Sequence, residues 1–148
     1  MKKILVIGFV LCMVLILFLS GQSGSQAFEL TYQLALPFAN LIYDTPDYDQ
    51  ILVVMNVIRL VGRIAAFTVF GGFFAALVNV WGNKLPYKVK NMISVMGIMV
   101  FSIFDETHKL FIDGRHCTIT EIIVNIICGF AGAGFVMYVI HKKKGVSG

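Results

Sequence analysis

The chain has 148 residues, of which 58% are hydrophobic and 14% charged, and its mean hydropathy is +0.85. This composition is too apolar for a water-soluble domain of that length, and four membrane spans of about 20 residues each would use most of it. The net charge of +4 comes from basic residues scattered between apolar runs. Membrane lipids are therefore the expected partners and nucleic acid is not. We expect one transmembrane domain over residues 1–148.

The charged residues are sorted along the chain as in a multi-pass membrane protein. Every acidic residue lies between the first and second apolar runs or between the third and fourth, at Glu29, Asp44, Asp47, Asp49, Asp105, Glu106, Asp113 and Glu121. Eight of the twelve basic residues lie in the other polar segments, at Lys2, Lys3, Lys84, Lys88, Lys90, Lys142, Lys143 and Lys144. Because short cytoplasmic segments collect Lys and Arg, this pattern predicts an all-α membrane protein with four transmembrane helices and both termini cytoplasmic.

The first apolar run predicts a span over about residues 4–20. Lys2 and Lys3 precede it and small residues follow it at 20–25, which is also the pattern of a cleaved secretory signal. We interpret the run as a retained anchor, because the charge sorting of the remaining chain requires a cytoplasmic N-terminus. Cleavage is the alternative.

A polar interval at residues 20–56 separates the first span from the second. It contains a modest apolar patch, Leu34–Ile42, which is broken by Pro37 and is too short to cross a bilayer. We expect this patch to lie along the outer membrane interface. The composition of Tyr43–Asp47 predicts a turn.

The second span is predicted at about residues 57–81. Arg59 and Arg63 are four residues apart and therefore lie on one face of a helix. The uncharged stretch from Ile64 to Trp81 is 18 residues long. It is long enough to reach the cytoplasmic boundary alone, so both arginines are expected in the outer part of the helix.

The third and fourth spans are predicted at about residues 91–110 and 119–140. The third apolar run, Met92–Phe104, has only 13 residues. Either that helix is short and the bilayer thins, or the span continues through the ionisable residues 105–109 at the outer edge of the membrane. In the fourth span, Glu121 and Asn125 lie one helical turn apart near the outer end.

These helices are expected to bring eight polar side chains to one level near the outer surface, namely Arg59, Arg63, Asp105, Glu106, Lys109, Arg115, Glu121 and Asn125. Ionisable groups at membrane depth cost about 2.5–3.5 kcal/mol each on insertion scales and are expected to face inward and pair. One interpretation is therefore a buried ion-pair network that locks the helices together. A second interpretation, which we favour, is an outward-facing cleft whose arginines bind an anionic ligand, since the guanidinium fork suits phosphate and carboxylate.

A third interpretation is catalytic. Glu106 or Asp105 would act as a base, with His108 or His116 as its partner. No serine or cysteine lies in a nucleophile motif, which argues against this interpretation. Asp105, Glu106 and His108 could ligate a metal, but their spacing matches no strong template, and no motif indicates a cofactor.

Three elements of the chain are similar to motifs of a known family. Asp105–Arg115, followed by Glu121 and Asn125, resembles a pattern of Asp-Glu, two residues, Gln, then Phe and Gly-Arg, then Asp and an Asn four residues later. Residues 59–71 resemble an Arg, His, aromatic, Gly pattern, and Ser20–Gln22 resembles a Ser-x-Gln element. Over nearly its whole length the chain is thus similar to the VanZ-like family of small bacterial membrane proteins.

Five positions depart from the pattern of that family. Arg63 stands where the family usually has His, Lys109 where it has Gln, and Glu121 where it has Asp. Asp113 replaces a common Pro, and Cys128 replaces a Gly. Two neutral or titratable groups have become cations. This implies stronger binding if the family site holds an anion, and a lost activity if it uses His chemistry.

The resemblance implies a cell-envelope protein of the bacterial cytoplasmic membrane. The named member of the family is associated with lowered susceptibility to teicoplanin, a glycopeptide antibiotic with a lipid tail. We therefore expect this chain to bind an anionic lipid headgroup or a glycopeptide-like ligand and to lower susceptibility to teicoplanin-type antibiotics. Arg59, Arg63 and Arg115 would contact the ligand, with the acidic pair holding them and Asn125 closing the network. The alternatives are a membrane-embedded enzyme acting on a lipid-linked envelope precursor, and a structural network without a ligand.

Overall fold

The computed structural model describes the backbone of residues 2–146 and the side chains of residues 2–142. Its helices are α1 Lys2–Ser20, α2 Gly24–Ile42, α3 Tyr48–Trp81, α4 Tyr87–His108 and α5 Ile119–Val146, and a short 3-10 helix, Lys109–Phe111, follows α4. The described part of the chain contains no strand. Four helices, α1, α3, α4 and α5, are long and apolar enough to cross a membrane, which confirms the predicted four-span helical fold. The cytoplasmic position of the termini stays a prediction.

Successive spans run in opposite directions, and this gives the bundle two chemically different ends. An ion pair between Arg63 and Glu121 joins α3 to α5 at one end, and the rings of Tyr87 and His141 lie 5.6 Å apart at the other. All eight acidic residues belong to the first end, which we call the acidic end. It comprises Ser20, α2, the start of α3, the end of α4, the 3-10 helix, the start of α5 and the turns between these elements. The lysines of the two termini and of the α3–α4 loop belong to the opposite end. Lys143 and Lys144 lie outside the residues whose side chains are described.

The central helix, α3, packs on each of the other four helices and most extensively on α5. Small residues permit this close approach, because a Cβ atom added to Gly71 would collide with the carbonyl of Gly129, and one added to Gly132 would collide with the carbonyl of Thr68. The relative position of Arg63 and Glu121 is therefore fixed by backbone packing about one to three helical turns away.

The helix that contains the second predicted span, at about residues 57–81, is longer than that span. α3 starts at Tyr48 and not near residue 57, because Asp47 accepts a hydrogen bond from the backbone of Gln50 and caps the helix. At a rise of 1.5 Å per residue, its 34 residues extend over about 51 Å, whereas the hydrocarbon core of a bilayer is about 30 Å thick. The first turns of α3 therefore extend beyond the segment needed for crossing, and they pack against α2.

The polar interval before α3 folds into a full helix, α2, and not only a short patch. A capping box between Ser23 and Gln26 starts it, and it ends before the predicted turn at residues 43–47. The expectation that Pro37 breaks the patch is wrong. Pro37 lies inside the helix on its exposed side, away from the small residues that face α3 (Ala27, Thr31, Ala35 and Ala39).

Candidate functional site

The end of α4 places an acidic pair inside the protein. The helix runs through Asp105 and Glu106 to His108, as required if the third span continues past its apolar run. Asp105 is 1% exposed and Glu106 is 0% exposed. Lys109 follows in the 3-10 helix and is also buried. Buried charges need partners, and Glu106 and Lys109 find them in each other and in residues of α5.

An ion-pair network joins these three helices. One oxygen of Glu121, Oε2, lies 2.7 Å from Nη2 of Arg63 and 3.0 Å from Nζ of Lys109. Lys109 also forms a short ion pair with Glu106. Nδ2 of Asn125 donates to the same oxygen of Glu106, at 3.4 Å. The network therefore contains two cations and two carboxylates, which neutralise each other.

A cavity of about 260 Å³ lies beside the network, between α1, α2 and α3. Four basic residues line it, namely Arg59, Arg63, Lys109 and Arg115. Asp105 is the one acidic residue among the described residues that line it, since Glu106 and Glu121 face the network instead. The polar part of the cavity wall is therefore predominantly cationic.

Two of the four cations in the cavity wall lack a carboxylate partner among the described residues. Arg59 is held by α2: its Nε donates to Oγ1 of Thr31 at 3.2 Å and its Nη2 donates to the carbonyl of Ala27 at 3.4 Å. Nε of Arg115 is buried and has no hydrogen-bond partner in the described part of the chain. These two guanidinium groups remain available to an anion in the cavity.

A tight turn brings Arg115 to the cavity. Gly114 has a φ of +71°, a left-handed conformation that glycine adopts without steric cost. The backbone N–H of Gly24 donates to the carbonyl of Asp113 at 3.0 Å, and the two glycines are in close contact. The start of α2 is thus attached to the turn that carries Arg115, so α2 positions both unpaired arginines.

Several buried oxygen atoms near the cavity have no hydrogen-bond partner among the described residues. They are Oδ1 of Asp105, Oε2 of Glu106, Oγ of Ser102 and Oδ1 of Asn125. Buried polar atoms are nearly always satisfied, by water if not by protein. Asp105 is the only residue of these four that lines the cavity.

A family model gives independent support for a relationship inferred from the motifs. The model of the VanZ/LLP1 family matches residues 5–141. The chain belongs to the VanZ/LLP1 family. It matches no curated protein and no solved structure.

In this VanZ/LLP1 protein, three of the departures from the family pattern are in mutual contact. Arg63, Lys109 and Glu121 are the residues that share the bridging carboxylate oxygen. The positive charges of Arg63 and Lys109 are thus both compensated at Glu121. Arg59 and Arg115 take no part in these ion pairs of the described residues.

The histidines of the VanZ/LLP1 chain lie apart from the cavity. His108 stacks on Phe104 with ring centroids 6.2 Å apart, and its buried Nδ1 has no partner among the described residues. His116 is exposed in the loop before α5. Neither residue lines the cavity, and in the described part of the chain no three metal-ligating side chains come together.

Residues of α1 and α2 in this VanZ/LLP1 protein were missed as site residues. Thr31 and Ala27 orient Arg59, and Ser20 and Gln22 line the cavity. The capping box at Ser23 and the small residues at every fourth position of α2 are visible in the sequence and would have predicted a packed helix there.

Proposed function

We propose that this VanZ/LLP1 membrane protein binds the anionic group of a membrane-associated ligand in the cavity at its acidic end. The observation that supports this most strongly is the pair of arginines, Arg59 and Arg115, that line the cavity without a carboxylate partner in the described structure. A guanidinium group carries its donors in a planar fork that matches phosphate and carboxylate oxygens.

The ion-pair network and the binding site have separate roles in this proposal. Arg63 and Lys109 are neutralised by Glu121 and Glu106, so their contribution is to hold α3, α4 and α5 in register. The net positive charge available to a ligand comes from Arg59 and Arg115. Because the cavity is partly enclosed, an anion there interacts with these charges more strongly than it would in open water.

The ligand we propose is an anionic lipid headgroup or a glycopeptide-like molecule at the outer surface of the bacterial cytoplasmic membrane. Family membership, the four spans and the sorting of charge between the two ends support this setting. Occupation of the cavity by such a ligand would reduce the action of teicoplanin-type antibiotics at the membrane surface. The oligomeric state does not enter this proposal.

A susceptibility measurement tests the proposed role. A Gram-positive host would express the wild type, the double variant Arg59→Gln/Arg115→Gln, or Lys84→Gln, at matched membrane abundance. Lys84 is exposed at the opposite end and serves as the control. We expect the wild type and the control to lower susceptibility to teicoplanin and not to vancomycin, and the double variant to return it to the level of the host. If the double variant protects the host as well as the wild type does, the proposal is wrong.

A membrane-embedded enzyme is the second candidate, and one observation favours it. Asp105 is buried, lines the cavity and has an oxygen without a hydrogen-bond partner among the described residues. A general base would need such a place beside the ligand. Glu106 is less suitable for that role, because it does not line the cavity and its Oε1 accepts from Lys109 and Asn125. For an enzyme, Asp105→Asn abolishes function at unchanged protein level.

A further inference from the structure

Two of the helices that line the cavity, α1 and α2, are not packed on each other. Each of these helices packs on α3, but they make almost no contact with each other. They are joined only by the short segment of residues 21–23. The two helices therefore diverge from their shared contact with α3 and leave a lateral gap.

The residues along this gap are apolar and exposed. Leu19 of α1 is 42% exposed, and Leu30 and Leu34 of α2 are 39% and 51% exposed, and all three line the cavity. Deeper in the cavity the wall is formed by Ile16 of α1 and Phe67 of α3, which are both buried. An apolar path thus leads from the unpaired arginines to the lipid-facing side of a membrane span.

This combination of surfaces selects one class of ligand. A water-soluble anion would satisfy Arg59 and Arg115 but would leave the apolar wall unused. A neutral apolar molecule would leave two guanidinium groups unpaired. A molecule with an anionic headgroup and an acyl chain matches both parts, because its chain can remain in contact with apolar surface while its headgroup meets the arginines.

We infer that the ligand is an anionic amphiphile that enters sideways from the membrane, with its acyl chain leaving the cavity through the gap between α1 and α2. This inference rests on the proposed anion-binding function and adds the position of the acyl chain and the route by which the ligand enters. The headgroup lies at Arg59 and Arg115, and the first part of the chain lies against Leu19, Leu30 and Leu34.

Photocrosslinking tests the position of the chain. The full-length protein in phosphatidylcholine nanodiscs would be exposed to lysophosphatidic acid with a photoreactive diazirine in its chain, or to a monoacylglycerol with the same chain. Crosslinked peptides would be mapped by mass spectrometry, and the amount of bound probe would be measured separately by native mass spectrometry. We expect the acidic probe to label the facing residues of α1 and α2 several-fold more than the neutral probe does.

Two variants of α2 separate blockage of the gap from damage to the helix. Leu30→Trp fills the gap and should lower labelling there, whereas Leu41→Trp should not change it. Leu41 is 83% exposed on the same helix and does not line the cavity. The double variant Arg59→Gln/Arg115→Gln should reduce labelling by the acidic probe to the level of the neutral probe.

The outcomes distinguish this inference from the proposed function. Loss of bound acidic probe in the arginine variant, with labelling outside the gap in the wild type, overturns the lateral route and supports the anion site. Complete displacement of the probe by inorganic phosphate likewise shows a site for water-soluble anions. Equal binding of both probes, unchanged by the arginine substitutions, overturns the anion site and the inference with it.

Discussion

Glu121 accepts ion pairs from two cations through one oxygen, and it connects residues that are far apart in the chain. This sharing explains how Lys109 is tolerated at 3% exposure in a membrane protein, since it has a carboxylate on each side. At this scale the charges of the acidic end fall into a neutralised group and an available group. The neutralised group is structural, and the available group is the proposed site.

The neutralised group predicts a specific energetic coupling. Lys109→Met leaves the fully buried Glu106 without its cation, which should cost about 3–5 kcal/mol of unfolding free energy. Adding Glu106→Gln removes the uncompensated charge. The double variant should therefore lose about 0.5–3 kcal/mol less unfolding free energy than the sum of the losses of the two single variants. Denaturant unfolding of the four proteins in detergent measures this coupling. Strict additivity would show that the pair does not interact.

Substitution of Asp105 should have opposite effects on protection in the two candidate functions. It is the single acidic residue of the described cavity wall, so Asp105→Asn removes a repulsion and should tighten binding of an anionic lipid by about fivefold, or roughly 1 kcal/mol. Lipid occupancy by native mass spectrometry and antibiotic susceptibility can be compared in the same variant. Retained or stronger protection supports a binding protein, whereas complete loss with intact lipid binding supports an enzyme.

Among the elements, α2 positions both unpaired arginines, although it is not one of the four candidate membrane spans. Its small residues let it lie close to α3, and its Thr31 and Ala27 hold Arg59. Its first residue contacts the turn that carries Arg115. Loss of α2 contacts should therefore weaken binding without affecting the four-span bundle.

Thr31→Val tests this role with a nearly isosteric change. It removes the acceptor for Nε of Arg59, and hydrogen bonds to charged groups are worth about 1.5–3 kcal/mol, so the site should lose part of that in affinity. Thr107→Val is the matched control, because the Thr107 hydroxyl bonds only carbonyls of its own helix. Weaker anionic-lipid binding is expected for Thr31→Val alone. The same loss in both variants would show that α2 does not position Arg59.

The elements also show where the sequence was informative. A third apolar run of 13 residues is too short to cross, which left two alternatives, and α4 agrees with the one in which the helix continues through Asp105 and Glu106. The start of the α3 helix at Tyr48 was not predicted, although its cap at Asp47 is visible, because hydropathy indicates the membrane span and not the helical turns beyond it. Pro37 was given too much weight, since it lies on the exposed side of a helix held by contacts on the other side.

At the scale of the whole molecule, the order of charges predicts the direction of each span, but it does not predict the rotation of each helix about its axis. The sequence therefore placed eight polar residues at one level, and the structure places them all at the acidic end. The sequence alone could not show that Arg59 and Arg115 lie outside the ion-pair network. That separation depends on which way each helix faces, and helices that are apolar on nearly all sides carry a weak signal of their orientation.

The predicted orientation of the bundle has a direct test in intact cells. Single cysteines would replace Asp47, Asp113 or Lys88 in a variant without the three native cysteines. Because Lys-rich segments are retained in the cytoplasm, a membrane-impermeant thiol reagent should label the first two positions, and Lys88→Cys only after permeabilisation. Labelling of Lys88→Cys in intact cells would reverse the topology and place the cavity on the cytoplasmic side.

Retention of an anionic lipid by the intact protein tests the central claim most directly. The wild type, Arg59→Gln/Arg115→Gln and Lys84→Gln would be released from nanodiscs that contain equal amounts of phosphatidylglycerol and phosphatidylcholine, and bound lipid would be identified by native mass spectrometry. We predict that the wild type and Lys84→Gln retain phosphatidylglycerol in preference to phosphatidylcholine and that the double variant loses this preference. Equal retention of phosphatidylglycerol by the double variant would contradict a cationic binding site in this cavity.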